Sequence, residues 1–96
     1  MPQYEWKYSN VDLSTDITTI ESVPCLVAGA QVTTKLSAHA CPIKDSTTTV
    51  TAFPASSQVG DTIDLDHVRF ETSLIVDPDN SATGNITVFY RRLRED

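Results

Sequence analysis

Residues 62–76 read TIDLDHVRFETSLIV, a run in which apolar and polar side chains alternate over residues 62–66 and again over residues 67–71. Ile63 and Leu65 alternate with polar residues, which places the aspartates on the opposite side of an extended chain. Alternation with a period of two is typical of half-buried strands that turn one face toward water. The run therefore predicts β-structure with solvent-facing acids. A second apolar set follows on even-numbered positions: Val68, Phe70, Thr72, Leu74 and Val76.

The rest of the chain shows the same alternation in short runs. Valine, isoleucine and threonine make up 28 of the 96 residues, and β-branched side chains pack well on pleated sheets but lose rotamer freedom in helices. Turn residues separate about eight such runs, at spacings typical of sandwiches and jelly rolls. We predict an all-β fold, a single antiparallel β-sandwich or jelly-roll-like domain over residues 1–96, in which residues 1–10 form an N-terminal arm or an edge strand.

Loop lengths suggest how the predicted strands pair. Residues 25–34 and 39–44 are expected to form a hairpin around a turn at residues 35–36. Residues 74–76 and 86–88 are expected to form a second hairpin with a long loop. The core-facing residues of the first run are then the even-numbered apolar ones: Leu26, Ala28, Ala30 and Val32.

The chain has two cysteines, Cys25 and Cys41. In the first predicted hairpin Cys41 lies opposite Ala30, so Cys25 is about five residues out of register and beyond disulfide reach. The sequence also opens without a basic segment followed by an apolar one, so we expect synthesis in the cytoplasm, where thiols stay reduced. We therefore expect two buried free thiols.

The charge balance excludes several classes of partner. Thirteen acidic and seven basic residues give a formal net charge of −6 and a pI near 4.6, the wrong sign for binding a phosphate backbone. The longest apolar run, residues 23–30, is far shorter than the roughly 20 residues that span a bilayer. We predict neither a nucleic-acid partner nor a membrane partner.

No residue pattern supports catalysis or a cofactor. His39 and His67 are the only histidines, and neither has further ligands at the spacing of a zinc site. The sequence contains no Gly-x-Ser-x-Gly elbow and no glycine-rich phosphate loop. We therefore predict a protein that is not an enzyme, with no catalytic, cofactor-binding or metal-binding residues.

An acidic region is the nearest approach to a cation site. Asp77, Asp79 and Ser81 match the first ligand positions of a calcium loop, but Ala82 and Val88 occupy the positions that require glycine and glutamate. A solvated acidic face is favoured over a cation shared between subunits. Six acids lie in this region with one base among them: Asp61, Asp64, Asp66, Glu71, Asp77 and Asp79.

Aromatic and arginine side chains concentrate at the two ends of the chain. Alternation places the N-terminal aromatics on one face of an extended segment, which either packs on the core as a first strand or lies on a neighbouring subunit. The C-terminal arginines are solubilising charges in a monomer, or contacts to an acidic surface in an assembly. Because aromatics and arginine are enriched at interface hot spots, the candidate interface residues are Tyr4, Trp6, Tyr8, Arg91, Arg92 and Arg94.

Several strand and turn segments carry a family resemblance. They are residues 54–57 (PASS) leading to Gly60, residues 68–74 (VRFETSL) and residues 82–91 (ATGNITVFYR). With the stretch Ile43, Lys44, Asp45 before a threonine-rich strand, the chain resembles small β-sandwich virion proteins of tailed bacteriophages over roughly residues 24–92. Such proteins commonly have an IKDG turn, and Ser46 stands here in place of its glycine.

The resemblance implies a non-enzymatic structural subunit of the virion, assembled in the host cytoplasm. Its expected role is that of a capsid decoration or cement protein that binds the outer capsid lattice and stabilises it, as a homo-oligomer with a trimer favoured. The expected partners are the major capsid protein or other virion subunits. The alternative is a collar, fibre or tail-associated subunit that binds a receptor or carbohydrate, with the N-terminal aromatics as a stacking face.

Overall fold

The computed structural model describes residues 6–15 and 17–93. In those ranges the chain forms β-strands and no helix, which confirms the prediction of an all-β fold with about eight strands. The strands are β1 (Lys7–Asp12), β2 (Thr18–Glu21), β3 (Cys25–Thr34), β4 (Cys41–Asp45), β5 (Thr48–Phe53), β6 (Thr62–Phe70), β7 (Leu74–Val76) and β8 (Asn85–Arg92).

The eight strands form two antiparallel sheets that pack together as a β-sandwich. The first sheet has the order β1-β8-β3-β6, and the second has the order β2-β7-β4-β5. Among the described strands, β4 and β5 are the only consecutive ones that pair with each other. Every other connection passes from one sheet to the other, so consecutive strands mostly lie in different layers.

The core lies between the two sheets and contains apolar side chains from both. Phe53 on β5 and Phe70 on β6 are its largest fully buried rings, one from each sheet. Cys25 and Cys41 are also fully buried and free, which confirms the expected pair of buried thiols. The other buried apolar residues are Val11, Leu13, Val27, Ala30, Val32, Leu36, Ile43, Leu74, Val76, Ala82, Ile86, Val88 and Tyr90.

The two predicted hairpins are wrong. Strand β3 pairs with β6 and β8, whereas β4 pairs with β5 and β7 in the opposite sheet, so Cys41 does not lie across from Ala30. The connection between β3 and β4 is held away from a hairpin turn because Leu36 is buried and Ser37 hydrogen-bonds to Thr83. Strands β7 and β8 likewise lie in different sheets.

A β-bulge reverses the faces of β3. Register shifts between Val27 and Gly29, so the inward side changes from Cys25 and Val27 to Ala30 and Val32. The predicted core face is therefore correct for its second half only. Gly29 is required at this point because a Cβ atom there would lie 2.1 Å from the carbonyl oxygen of Ile63.

Strand β6 carries the matching irregularity. Asp66 and His67 have left-handed φ angles of 51° and 67°, which non-glycine residues rarely adopt. Asp64 accepts a hydrogen bond from the Asp66 backbone N–H at 3.0 Å, which caps the irregular turn. The buried side of β6 consequently changes from odd-numbered to even-numbered positions, reaching Phe70 in the core.

The chain leaves the first sheet after Phe70 and enters the second at Leu74, so the even-numbered run does not form one continuous strand. The crossing is fixed by the carboxylate of Asp45. Backbone N–H groups of Glu71, Thr72 and Ser73 donate to it at 2.8, 3.0 and 3.2 Å. One acid at the end of β4 therefore holds the connection between β6 and β7.

Candidate interaction surface

Exposed aromatic side chains cluster on the outer face of the first sheet. The described part of the chain has six large apolar side chains exposed to solvent, and three of them are aromatic: Trp6, Tyr8 and Phe89, which are 43, 68 and 38% exposed. Tyr8 and Phe89 are directly opposed across β1 and β8, and Trp6 precedes Tyr8 by two positions on the same side of the chain. These three residues are called the aromatic face below.

Backbone pairing arranges the outer side chains in rows that cross the sheet. One row runs from Tyr8 through Phe89 and Gly29 to Asp64, each paired with the next across neighbouring strands. The adjacent row contains only polar side chains, from Asn10 through Thr87 and Gln31 to Thr62. The outer face thus changes from aromatic to acidic along one row and is neutral and hydrogen-bonding along the next.

A pit of about 300 Å³ interrupts the first of these rows. It lies at Gly29, which has no side chain and is paired with Phe89 on one neighbouring strand and with Asp64 on the other. The residues that line the pit are Ala28, Gly29, Ala30, Gln31, Thr62, Ile63, Asp64 and Phe89.

The other end of the aromatic face is basic. The ring of Trp6 lies edge-on to His67, with 5.1 Å between ring centroids, and the Cζ atom of Arg91 lies 5.9 Å from the Trp6 centroid. At that distance the guanidinium is within reach of a cation–π interaction. The Nε atom of Arg91 is shielded from solvent and has no hydrogen-bond partner in the described ranges.

The candidate interface residues do not all meet on this surface. Trp6 lies beside Arg91, and Tyr8 lies opposite Phe89. Both rings are exposed, so the interpretation of Trp6 and Tyr8 as core-packing residues is wrong. Arg92 points to the other side of β8 and forms an ion pair with Glu21. Tyr4 and Arg94 lie outside the described residues. Sequence reasoning missed Phe89, although its alternation with buried Ile86, Val88 and Tyr90 is visible in the sequence.

The acidic residues are dispersed and have separate partners. Asp77 forms an ion pair with Lys44 at 3.2 Å, and Asp79 accepts a hydrogen bond from the backbone of Ser81. His39 lies 3.9 Å from the Asp79 carboxylate. No group of three or more histidine, cysteine or acidic side chains that could hold a metal ion occurs in residues 6–15 and 17–93.

Comparison of the chain with protein-family models, curated proteins and solved structures gave no match. Across the same described ranges, no helix is long and apolar enough to cross a membrane. The outer face of the first sheet is the candidate functional surface. Its distinguishing features are three exposed rings, a basic end at Arg91 and a pit at Gly29.

Proposed function

We propose that the chain is a non-enzymatic structural protein of a tailed-bacteriophage virion, most simply a decoration or cement protein on the outer capsid lattice. The observation that supports this proposal is the aromatic face. Solvent-exposed rings concentrated on one sheet face are a common mark of protein-binding surfaces. From the resemblance of the strand and turn segments to phage virion proteins, the partner we propose is the major capsid protein or another virion subunit.

Cementing requires no chemistry beyond burial of this surface. Each copy would cover Trp6, Tyr8 and Phe89 against one or more capsid subunits, and the subunits could then separate only by breaking those added contacts. Tryptophan, tyrosine and arginine supply most of the binding energy in typical interfaces. Arg91 beneath Trp6 would add a directional contact to an acceptor on the capsid, because its guanidinium is held in place by the ring.

The remaining charge distribution fits a particle exterior. The chain carries a net charge of −6, so copies repel one another in solution and stay soluble until a specific surface binds them. On the lattice, copies of the chain would form a cyclic oligomer around a symmetry axis, and a trimer is the assembly we favour. A collar, fibre or tail subunit could use the same aromatic face, and copy number separates these locations.

The first experiment is quantitative mass spectrometry of purified particles, with the chain normalised to the major capsid protein. About one copy, or about one third of a copy, per capsid subunit would place the protein on the lattice. A few dozen copies per particle would move it to the collar, tail or fibres. Absence from particles would overturn the virion proposal.

A second experiment tests the surface. Particles lacking the chain are incubated with wild-type protein, with a Tyr8→Ser variant and with a Val59→Ser variant. Val59 is 64% exposed in the loop before β6 and is not part of the aromatic face, so it is a matched control. Tyr8→Ser should weaken binding by at least about tenfold, the size of a typical hot-spot loss. Equal binding by both variants would exclude the aromatic face as the interface.

A further inference from the structure

We propose that the pit at Gly29 binds a saccharide, with Phe89 as the stacking wall and Asp64, Gln31 and Thr62 as hydrogen-bonding groups. The proposal does not depend on the location of the protein in a virion. It rests on the shape of the pit, on the chemistry of its walls and on the way the fold fixes both. The ligand class is a neutral pyranose, bound as a single ring.

The shape of the pit is set by the backbone. Gly29 lies between Phe89 and Asp64 in the sheet, and a Cβ atom at this position would collide with the carbonyl oxygen of Ile63. A side chain at position 29 would therefore require a strand to move. The volume of about 300 Å³ lies at the lower end of the roughly 300–1,000 Å³ typical of small-molecule sites, which suits one sugar ring.

The walls match the two kinds of surface that a pyranose presents. A sugar ring has an apolar C–H face, and Phe89, 38% exposed, offers a flat ring against which that face can pack. A sugar also has several hydroxyl groups that both donate and accept. Asp64 accepts, Thr62 does both through its hydroxyl, and the amide of Gln31 does both through its two ends.

The fold also preorganises the acceptor. Oδ1 of Asp64 accepts the hydrogen bond from the Asp66 backbone N–H at 3.0 Å, which restricts rotation of the carboxylate. Its Oδ2 has no hydrogen-bond partner in the described ranges, and Asp64 is one of the residues that line the pit. A restrained acceptor loses less conformational entropy on binding a ligand than a free one.

A cationic side chain of a protein partner is the competing occupant, since a ring and a carboxylate also suit a guanidinium. Two observations favour the sugar. Gln31 and Thr62 are neutral lining residues whose amide and hydroxyl groups both donate and accept hydrogen bonds. A guanidinium only donates, so it would leave their donors without a partner. Arg91 is two positions from Phe89 on the same face of β8, and its charge opposes a second cation but not a neutral sugar.

The test is an NMR titration of the full-length ¹⁵N-labelled protein. The probes are methyl α-glucoside, methyl α-galactoside, methyl α-mannoside, N-acetylglucosamine and N-acetylarginine amide. At least one saccharide should cause saturable shifts centred on the amides of Gly29, Gln31, Asp64 and Phe89, with a Kd of about 1–10 mM. The proposal is overturned if no saccharide gives saturable shifts, if the shifts centre elsewhere, or if the arginine probe alone binds.

Variants in the walls of the pit locate the site. Phe89→Leu removes the flat ring, and Asp64→Asn removes the charge while keeping an acceptor for the Asp66 N–H. Each should weaken saccharide binding by about tenfold or more. Thr62→Val, which removes one hydroxyl at constant volume, replaces Phe89→Leu if that variant does not fold. Unchanged affinity in the folded variants would overturn the assignment.

The matched control is Tyr8→Ser, because Tyr8 neighbours Phe89 but does not line the pit. It should leave saccharide affinity unchanged while weakening capsid binding. Loss of saccharide binding in Tyr8→Ser with retention in Phe89→Leu would place the sugar on the wrong side of Phe89 and overturn the proposal. Failure of capsid binding with intact saccharide binding would overturn only the cement function.

Discussion

Glu21 and Arg92 form an ion pair that joins the two sheets. Glu21 lies on β2 in the second sheet and Arg92 on β8 in the first, and Nε of Arg92 is 3.0 Å from Oε1 of Glu21. The Glu21 side chain is only 8% exposed, whereas that of Arg92 is 34% exposed. The pKa of nearby Tyr90 is raised, mainly by burial and secondly by the negative charge of Glu21. The arginine therefore compensates a carboxylate that has little access to water.

Arg92→Met should lower the free energy of unfolding by about 2–3 kcal/mol. The loss falls below the roughly 3–5 kcal/mol seen when fully buried pairs are broken, because Arg92 is partly solvated. The double variant Glu21→Gln, Arg92→Met should regain part of this loss, since no buried charge is left without a partner. Urea unfolding of the four proteins gives the coupling energy. A coupling energy near zero would show that the pair does not stabilise the sandwich.

Asp45→Asn should lower the free energy of unfolding by about 1–2 kcal/mol near neutral pH. Burial acts to raise the pKa of Asp45, but the three backbone N–H groups of residues 71–73 outweigh it, and the pKa is lowered from its ordinary value of 3.8. The ionised form therefore stabilises the fold above that value, and this contribution is lost as the pH falls through the folded-state pKa.

The difference in the free energy of unfolding between wild type and Asp45→Asn should consequently be constant between about pH 5 and 8. It should shrink below about pH 4. Urea unfolding at a series of pH values measures it. Asp66→Asn is the control, because the Asp66 side chain is 96% exposed and its charge contributes little. A wild-type advantage that persists unchanged to pH 2 would contradict this account.

The positions of the strands could be predicted from the sequence, but their pairing could not. Alternation was sufficient to predict the fold class, the strand number and buried residues such as Ile43, Phe70 and Val88, but it assigned the wrong face to the first half of β3. Alternation does not identify the neighbouring strand. A loop of six residues after Thr34 is compatible with either a hairpin or a connection between the two sheets. In the structure Leu36 is buried, and the loop connects the two sheets.

The irregularity in β6 beside the pit corresponds to a break in the alternation of its sequence. Apolar positions in β6 change from Ile63 and Leu65 to Val68 and Phe70, and such a change of parity requires an extra residue or a turn of the strand. The position of Gly29 opposite this break could not be predicted, because it depends on the pairing of β3 with β6. The exposure of Trp6 and Tyr8 on an outer face could not be predicted from alternation alone, because it depends on the pairing of β1 with β8.

Ser46→Gly should stabilise the protein by up to about 1 kcal/mol. Ser46 has a left-handed φ of 57° in the turn between β4 and β5, where a Cβ atom is unfavourable and glycine is not. Its backbone N–H donates to Oγ of Ser73 at 3.1 Å, and glycine keeps that bond. The gain is reduced because glycine also adds freedom to the unfolded chain.

Thermal and urea unfolding measure this effect, with Ser81→Gly as the matched control. Ser81 is an exposed loop residue that is not among those with a left-handed φ, so its substitution should be neutral or slightly destabilising. Equal effects at both positions would show that backbone strain at Ser46 is negligible. A stabilised Ser46→Gly would also show that the glycine of the IKDG turn suits this position better than serine.

The two thiols should resist modification in the folded state. Burial raises the pKa of Cys41 to about 12 and, with smaller effects of Glu21 and Asp45, that of Cys25 to about 11. At pH 8 the thiolate fraction is therefore lower than that of an ordinary cysteine by about 100-fold or more. Reaction with an aromatic disulfide reagent should be slow without urea, should follow unfolding as urea is added, and should reach two thiols per chain. In the S81C variant, one exposed thiol should react at once, and equally rapid reaction of the native thiols would show that the interior opens readily without unfolding.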